Sequence, residues 1–325
     1  MRSVRMVFSA LAGIGSLLFA ASSPAQPYPS KPIKLISAFS PGGSSDTLAR
    51  IIGQHLAERL GQAVLVESRT GAGGNIGADS VAKSPPDGHT LLMGTSSFPV
   101  AVNLYRKLSY DLVRDLAPVT LIGGTTMLLV AHPNLPVRTI AELVALAKAK
   151  PGDIAYATAG QGTVNHLNME LFSGQMGITL RHIPYRSNPL AMNDVIPGHV
   201  PVFLDFITTG APHVRAGKVR ALATTGLTRS ALLSDVPTMM EAGVPKYEAQ
   251  AWFGVFASGG TPRAVIDRLH AEIAAILAMP TVKERLNTLG VDITIGNPDQ
   301  LAALVKADIE KWRVVIQRAG IDKVD

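Results

Sequence analysis

Ile33-Lys34-Leu35-Ile36-Ser37-Ala38-Phe39-Ser40-Pro41-Gly42-Gly43-Ser44-Ser45-Asp46 decides how the rest of this chain is read. The apolar run 33–39 predicts a largely buried strand and Ser40 to Asp46 a glycine-rich turn. Residues 46–60, apolar at Leu48, Ile51, Ile52, Leu56 and Leu60, predict a helix that Gly61 stops. The same order then recurs. Residues 63–67 read as a strand, Thr70-Gly71-Ala72-Gly73-Gly74-Asn75-Ile76-Gly77 as a second glycine turn, 75–83 as a helix and 90–93 as a strand. Strand, helix, strand, helix, strand predicts a parallel sheet with right-handed crossovers, and such sheets bind ligands at the carboxyl ends of their strands. Both glycine turns fall there. A turn of this kind aims the first N–H groups of a helix and the positive end of its dipole at a ligand, so the pair reads as cradles for a carboxylate or a phosphate.

The alternation restarts after Thr125, with strands expected over 127–131, 154–157, 180–183, 200–206 and 220–224 and helices over 139–150, 163–176, 189–196 and 207–216. A third polar glycine turn, Ala157-Thr158-Ala159-Gly160-Gln161-Gly162-Thr163, opens one of these helices. Residues 251–256 read as a strand, and 262–279 and 298–319 as helices that return to the first unit. The expected architecture is therefore α/β and two-lobed, each lobe a mainly parallel sheet flanked by helices. Two strand-like crossings, near 127–131 and 252–256, join the lobes into a hinged clamp. The domains read as a signal peptide over 1–25, a first lobe over 26–126 and 254–325, and a second lobe over 127–253.

The leader is read from Arg2 and Arg5, the apolar run 6–21 and the small-residue exit Ser22-Ser23-Pro24-Ala25. Its apolar run is shorter than the roughly twenty residues of a spanning helix. The chain of 325 residues is 47% hydrophobic and has no cysteine, so neither a disulfide framework nor a lipidated thiol is available. Loss of two of 30 basic residues with the leader leaves 28 against 24 acidic ones, a mild basicity with no polybasic run to suggest nucleic acid. The expected product is an exported, periplasmic, soluble monomer.

Other chemistries fail on detail. Ile76 occupies the third glycine position of a dinucleotide fingerprint, no acidic residue follows the third strand, and no G-K-[ST] is present. The eight histidines make no metal-binding spacing, and Gly94-Thr95-Ser96-Ser97-Phe98 lacks the last glycine of a nucleophile elbow. No cofactor or metal is expected. His166 reads as facing the cleft or capping its helix, and as a base only in the alternative of catalysis. Arg186 stands where a guanidinium could meet an acidic ligand, or is a solvated loop charge. Asp205, inside Val202-Phe203-Leu204-Asp205-Phe206, needs a partner for a buried carboxylate: a ligand, or a backbone N–H.

The chain closely resembles the Bug-type extracytoplasmic solute receptors of tripartite tricarboxylate transporters. The resemblance rests on Tyr28-Pro29-Ser30-Lys31-Pro32-Ile33, Pro41-Gly42-Gly43-Ser44-Ser45-Asp46, Gly71-Ala72-Gly73-Gly74-Asn75-Ile76-Gly77-Ala78, Pro86-Asp87-Gly88-His89-Thr90-Leu91-Leu92, Asp235-Val236-Pro237-Thr238 and Trp252-Phe253-Gly254. It implies a type II periplasmic binding protein fold, capture of a small carboxylate between the lobes, and delivery to a permease of a large and a small subunit. By position it implies one face built from Phe39, Ser40, Gly42, Gly43, Gly73, Asn75, Ser96 and Ser97. The facing wall would use Thr158, Ala159, Gly160, Thr163, Tyr185, Arg186, Ser187 and Asp205. Tyr185-Arg186-Ser187-Asn188-Pro189 departs from the family's usual Tyr-Lys-Gly, which bears on ligand choice. An exported α/β hydrolase acting on a carboxylate, or a sensor for a membrane signalling protein, are the alternatives.

Overall fold

The computed structural model describes residues 28–39, 41–185, 187–247 and 249–324. The expected leader, Ser40 and Arg186 lie outside them. In chain order the elements are β1 (Ile33–Ser37), α1 (Ser44–Leu60), β2 (Val64–Ser68), α2 (Asn75–Ala82), β3 (Thr90–Thr95), α3 (Ser97–Leu104), β4 (Leu116–Thr125), β5 (Met127–Ala131), α4 (Ile140–Ala149), β6 (Ala155–Thr158) and α5 (Val164–Met176). They continue as β7 (Arg181–Pro184), α6 (Asn188–Val195), β8 (Val202–Phe206), α7 (Ile207–Arg215), β9 (Arg220–Thr224), β10 (Ala251–Ser258), α8 (Arg263–Ala278), α9 (Pro280–Thr288), β11 (Val291–Gly296) and α10 (Pro298–Arg318).

Two sheets form. One has six strands in the order β11-β4-β10-β3-β1-β2, the other five in the order β7-β6-β8-β5-β9. The expected parallel core is present in each: β1 pairs with β2 and β3 in parallel, and β6 pairs with β7 and β8 in parallel. The sheets are nonetheless mixed rather than mainly parallel. β10 runs antiparallel between β3 and β4, β11 runs antiparallel to β4, and β5 runs antiparallel between β8 and β9. β5 and β10 are the strands with which the chain passes from one sheet to the other, and each runs opposite to both of its neighbours.

β4 and β11 have no counterpart among the expected elements. Pro118 obscures β4, because proline donates no ladder hydrogen bond. The sheet accommodates it beside a register shift between Val255 and Phe256, where Phe256 faces Pro118. Thr126 alone separates β4, in the first sheet, from β5, in the second. β10 belongs to the first sheet along its whole length, so residues 251–253, expected in the second lobe, pair instead with β4, Phe253 also lying opposite Thr95.

Strand alternation sends successive side chains to opposite faces, so each sheet carries a core on both. Ile33 and Leu35 pack with Leu48, Ile52 and Ile273 on one face, and Ile36 packs with Phe98, Trp252 and Leu301 on the other. In the second sheet Leu129 and Met127 face Phe172 and Leu143, while Leu128 and Val130 face Phe203 and Val195. A smaller cluster joins the two halves: Leu167 of α5 packs with Leu104 of α3 and with Trp312 and Ile316 of α10.

Candidate functional site

The carboxyl ends of β1, β3, β6 and β8 open onto two adjoining cavities between the sheets. The first, of about 430 Å³, is bounded on one side by Phe39, Gly73, Ser96, Ser97, the α3 residues Val100, Ala101 and Leu104, Tyr105 and Trp312. Its other side comes from Ala159, residues 161–165, Asn188 and Phe206. The second, of about 350 Å³, adds Gly43, Ser44, Ser45, Thr95, Thr125, Ala251, Trp252 and Phe253. Phe39, Ser96, Ser97, Val164 and Phe206 border both, so the two are parts of one cleft. No carboxylate, ammonium, guanidinium or imidazole occurs among the described lining residues.

α1, α3 and α5 begin at this cleft, and none has a side-chain cap. Their first-turn N–H groups lack intrahelical partners, which favours an anion at these ends. Ser45 Oγ, in the first turn of α1, is buried with no hydrogen-bond partner in the protein, as is Trp312 Nε1 at the opposite end of the cleft.

The turns themselves are held by internal hydrogen bonds. Gly42 N–H donates to Asp46 Oδ2 at 3.0 Å, and the buried Asp46 also accepts from Arg50 Nε at 2.8 Å and Ser68 Oγ at 3.1 Å. The Arg50 hydrogen bond holds the Asp46 carboxyl below the usual range. Asp46 thus ties the first glycine turn to the strand that precedes the second. In that second turn Gly74, at φ +95°, lies where an added Cβ would meet the rings of Phe39 and Phe98 at 3.0 Å. Only glycine fits so close an approach in a left-handed conformation. Asn75 is spent on the same turn, donating to Ala72 O at 2.7 Å and accepting from Tyr110 at 2.8 Å.

Across the cleft, Gly160 N–H donates to Thr158 Oγ1 at 3.1 Å, Thr163 Oγ1 donates to Gly160 O at 2.7 Å, and Gly162 N–H donates to His166 Nδ1 at 3.0 Å. The buried His166 ring stacks on His182 with centroids 3.9 Å apart. Burial, with His182 beside it, pushes the His166 imidazole down to about 4, so it stands neutral at pH 7 with Nδ1 as acceptor. This bond sets the Gly162 turn against Leu104: a Cβ at Gly162 would sit 2.6 Å from Leu104 Cδ2 on the opposite wall.

Among the expected binding residues, Phe39, Gly43, Gly73, Ser96, Ser97, Ala159 and Thr163 line the cleft. Gly42, Asn75, Thr158, Gly160, His166, Tyr185, Ser187 and Asp205 are not among its lining residues. Gly42, Asn75, Thr158, Gly160 and His166 form turn-internal bonds, and Ser187 precedes α6 as its N-cap residue. Tyr185 donates to Asp194 at 2.6 Å; burial, with that hydrogen bond, pushes its hydroxyl up to about 12. Asp205 lies behind the wall, accepting from Asn188 Nδ2 at 3.0 Å and Thr209 Oγ1 at 2.7 Å. Burial pushes its carboxyl up, against the pull of those two donors. Its partners among the described residues are side chains of α6 and α7, together with the backbone of Phe206, which also draws the carboxyl down. The largest unforeseen contribution is α3, signalled only by the run Phe98-Pro99-Val100-Ala101-Val102 after a strand. Trp312 and Phe206 were not expected at the site either, since periodicity cannot say which apolar residue borders a cavity.

Among the described residues no helix is long and apolar enough to cross a membrane and no cluster of metal-ligating side chains occurs. Residues 48–321 match the model of the tripartite tricarboxylate transporter family receptors. The chain is 38% identical over 316 residues to Protein BugT of Bordetella pertussis, covering 97% of this chain and 95% of that one. Among solved structures, R. palustris Rpa4515 with adipate is 34% identical with a TM-score of 0.75, covering 91% of this chain and all of the other. MatC (Rpa3494) from Rhodopseudomonas palustris with bound malate is 32% identical with a TM-score of 0.70, covering 89% of this chain and all of the other. This chain, with its paired sheets and intervening cleft, belongs to the tripartite tricarboxylate transporter receptor family, a family of solute-binding receptors and not of enzymes.

Proposed function

We propose that this protein is the exported receptor that captures a small carboxylate between two lobes and hands it to a two-subunit membrane permease. The observation that carries the reading is the cleft itself, walled by both sheets and met by the uncapped starts of α1, α3 and α5. Relatives that bear adipate and malate support a carboxylate as the solute. The lobes correspond to the two sheets with their helices. Closure draws on contacts that a ligand makes with both walls at once, Ser96 and Ser97 on one side and Thr163 and Asn188 on the other. Asp205 positions Asn188, and His166 positions the Gly162 turn.

The test is a thermal-shift panel of mono-, di- and tricarboxylates on the purified mature protein, followed by recovery of the best ligand. A ligand that binds only the folded state raises the melting temperature, by an amount set by its concentration relative to Kd. Recovery of the acid unchanged and transport by vesicles holding the permease subunits are the expected outcomes. Turnover of the acid, or no stabilisation by any acid, overturns the reading.

A further inference from the structure

A separate cavity, of about 300 Å³, lies at the end of α5 remote from the cleft. Helix α5 packs against β8 of the second sheet and α10 against β4 of the first, and the two helices meet beside this cavity. α5 contributes Glu170, Ser173 and Gly174, α10 contributes Val315 and Arg318, and Ile178 and Leu180 add to its apolar side. Two opposite charges border the one cavity without pairing. Arg318 lies against α5, where an added Cβ at Gly174 would be 2.8 Å from Nη1, and it has no hydrogen-bond or ion-pair partner among the described residues. Glu170 accepts from the Tyr156 hydroxyl at 2.5 Å through Oε1, and its second oxygen accepts nothing from the described residues. Between them Ser173, 6% exposed, holds its Oγ buried and without a partner.

We infer that this cavity is a second ligand site, separate from the cleft, for a small neutral α-amino acid. A lone anion on Arg318 would be opposed by the Glu170 carboxylate and by the carbonyls that end α5, and a lone cation on Glu170 would be opposed by Arg318. A zwitterion satisfies both charges at once. Its carboxylate meets the guanidinium fork of Arg318, a geometry suited to two parallel hydrogen bonds, and gives Ser173 Oγ the acceptor it lacks within the protein. Its ammonium meets Glu170, and a short side chain rests against Ile178, Leu180 and Val315. The volume is at the small end of the range for ligand sites, which suits an amino acid. Because α5 starts at the cleft and ends at this cavity, one helix serves both sites.

Calorimetric titration of the mature protein with L-alanine, L-valine and L-alaninamide, which lacks the carboxylate, tests this. Alanine or valine is expected to bind saturably, with alaninamide at least about tenfold weaker than alanine, and Arg318→Gln and Glu170→Gln are each expected to weaken the amino acid by at least about tenfold. Arg318 is exposed and Glu170→Gln keeps an acceptor for Tyr156, so both variants should fold, which circular dichroism checks. An amino acid held in the cleft would be insensitive to Arg318→Gln, since Arg318 does not line it. Unchanged affinity in the folded Arg318→Gln or Glu170→Gln protein therefore overturns the assignment. Alaninamide binding as tightly as alanine, or binding of neither amino acid, overturns it as well. Each of these failures leaves the carboxylate reading of the cleft standing.

Discussion

Asn188 Nδ2 donates to Asp205 Oδ1 at 3.0 Å, which couples a carboxylate behind the cleft wall to an amide that borders the cleft. Thr209 Oγ1 holds the other carboxylate oxygen at 2.7 Å, so a single buried aspartate fixes the starts of both α6 and α7. The arrangement separates two roles that one buried acidic residue can play. Asp205 organises the wall and Asn188 presents it.

Asp205→Ala should therefore weaken ligand binding by about tenfold and destabilise the fold by about 1–3 kcal/mol, since Asn188 and Thr209 lose a charged acceptor. Asp205→Asn keeps the shape and one acceptor and should fall between the two. Titration calorimetry and chemical denaturation check both numbers; an alanine variant with wild-type affinity removes the positioning role.

His166 gives a pH dependence of definite sign. Its folded-state value is lowered to about 4 from an ordinary value near 6.5, so between these limits the unfolded chain binds more protons than the native one. The stability it protects is complete above about pH 6.5 and drains away as the pH falls towards 4. The full effect is up to about 3 kcal/mol. His166→Asn should flatten the denaturation-midpoint profile over pH 4.5–6.5 relative to wild type, and an unchanged slope contradicts the assignment. Neutral His166 also accepts from Gly162 N–H, so protonation should loosen the turn and weaken binding over the same window.

Gly77→Ala sets helix propensity against packing. Alanine is favoured over glycine inside a helix by about 1 kcal/mol. At Gly77, however, the new Cβ would lie 2.8 Å from Ala38 Cβ and 3.0 Å from both Ala38 Cα and Arg69 O, and backbone cannot swing aside. Overpacking of this kind costs about 1–3 kcal/mol, so the net change should be destabilising. A more stable variant by urea titration contradicts the close approach of α2 to the first turn.

Trp252 Nε1 donates to Asp308 Oδ2 at 2.7 Å, and both residues are buried. Trp252→Phe keeps most of the apolar contact with Phe256 and Leu301 but takes from Asp308 the indole donor that it has beside Lys311 at 2.6 Å. A loss of about 1–3 kcal/mol is expected. Trp252→Phe combined with Asp308→Ala should cost less than the sum of the single changes, a double-mutant cycle that measures the coupling directly.

The strand, turn and helix order around the glycine turns was legible because each element carries a local signal. β1 is an unbroken apolar run, α1 has 3.6-residue spacing and a glycine stop, and α2 follows its turn immediately. β4 was hidden by Pro118 and β11 by its short half-exposed alternation, so the sheets read as more parallel than they are. The cleft was legible on the side of its turns and illegible on the side of its walls. Ala159 belongs to a glycine turn at a strand end, whose place in the fold follows from topology, while Ser96 and Ser97 were reached through the family resemblance. Trp312 and Leu104 border the cleft only because α10 and α3 pack against α5, a relation no local pattern encodes.

Sequence by itself determined the two α/β units, the glycine turns at the ends of their strands and the family to which they belong. Period and turn chemistry are local, and a backbone needing positive φ at Gly42, Gly73 and Gly162 announces itself by residue type. Tertiary structure alone decided which polar groups remain for a ligand. Gly42, Asn75, Gly160 and Asp205 all carry the right chemistry for a binding site, yet each is committed to a neighbour. Whether a donor or acceptor is spent or available depends on what the fold places within about 3 Å of it, a distance that sequence spacing does not fix.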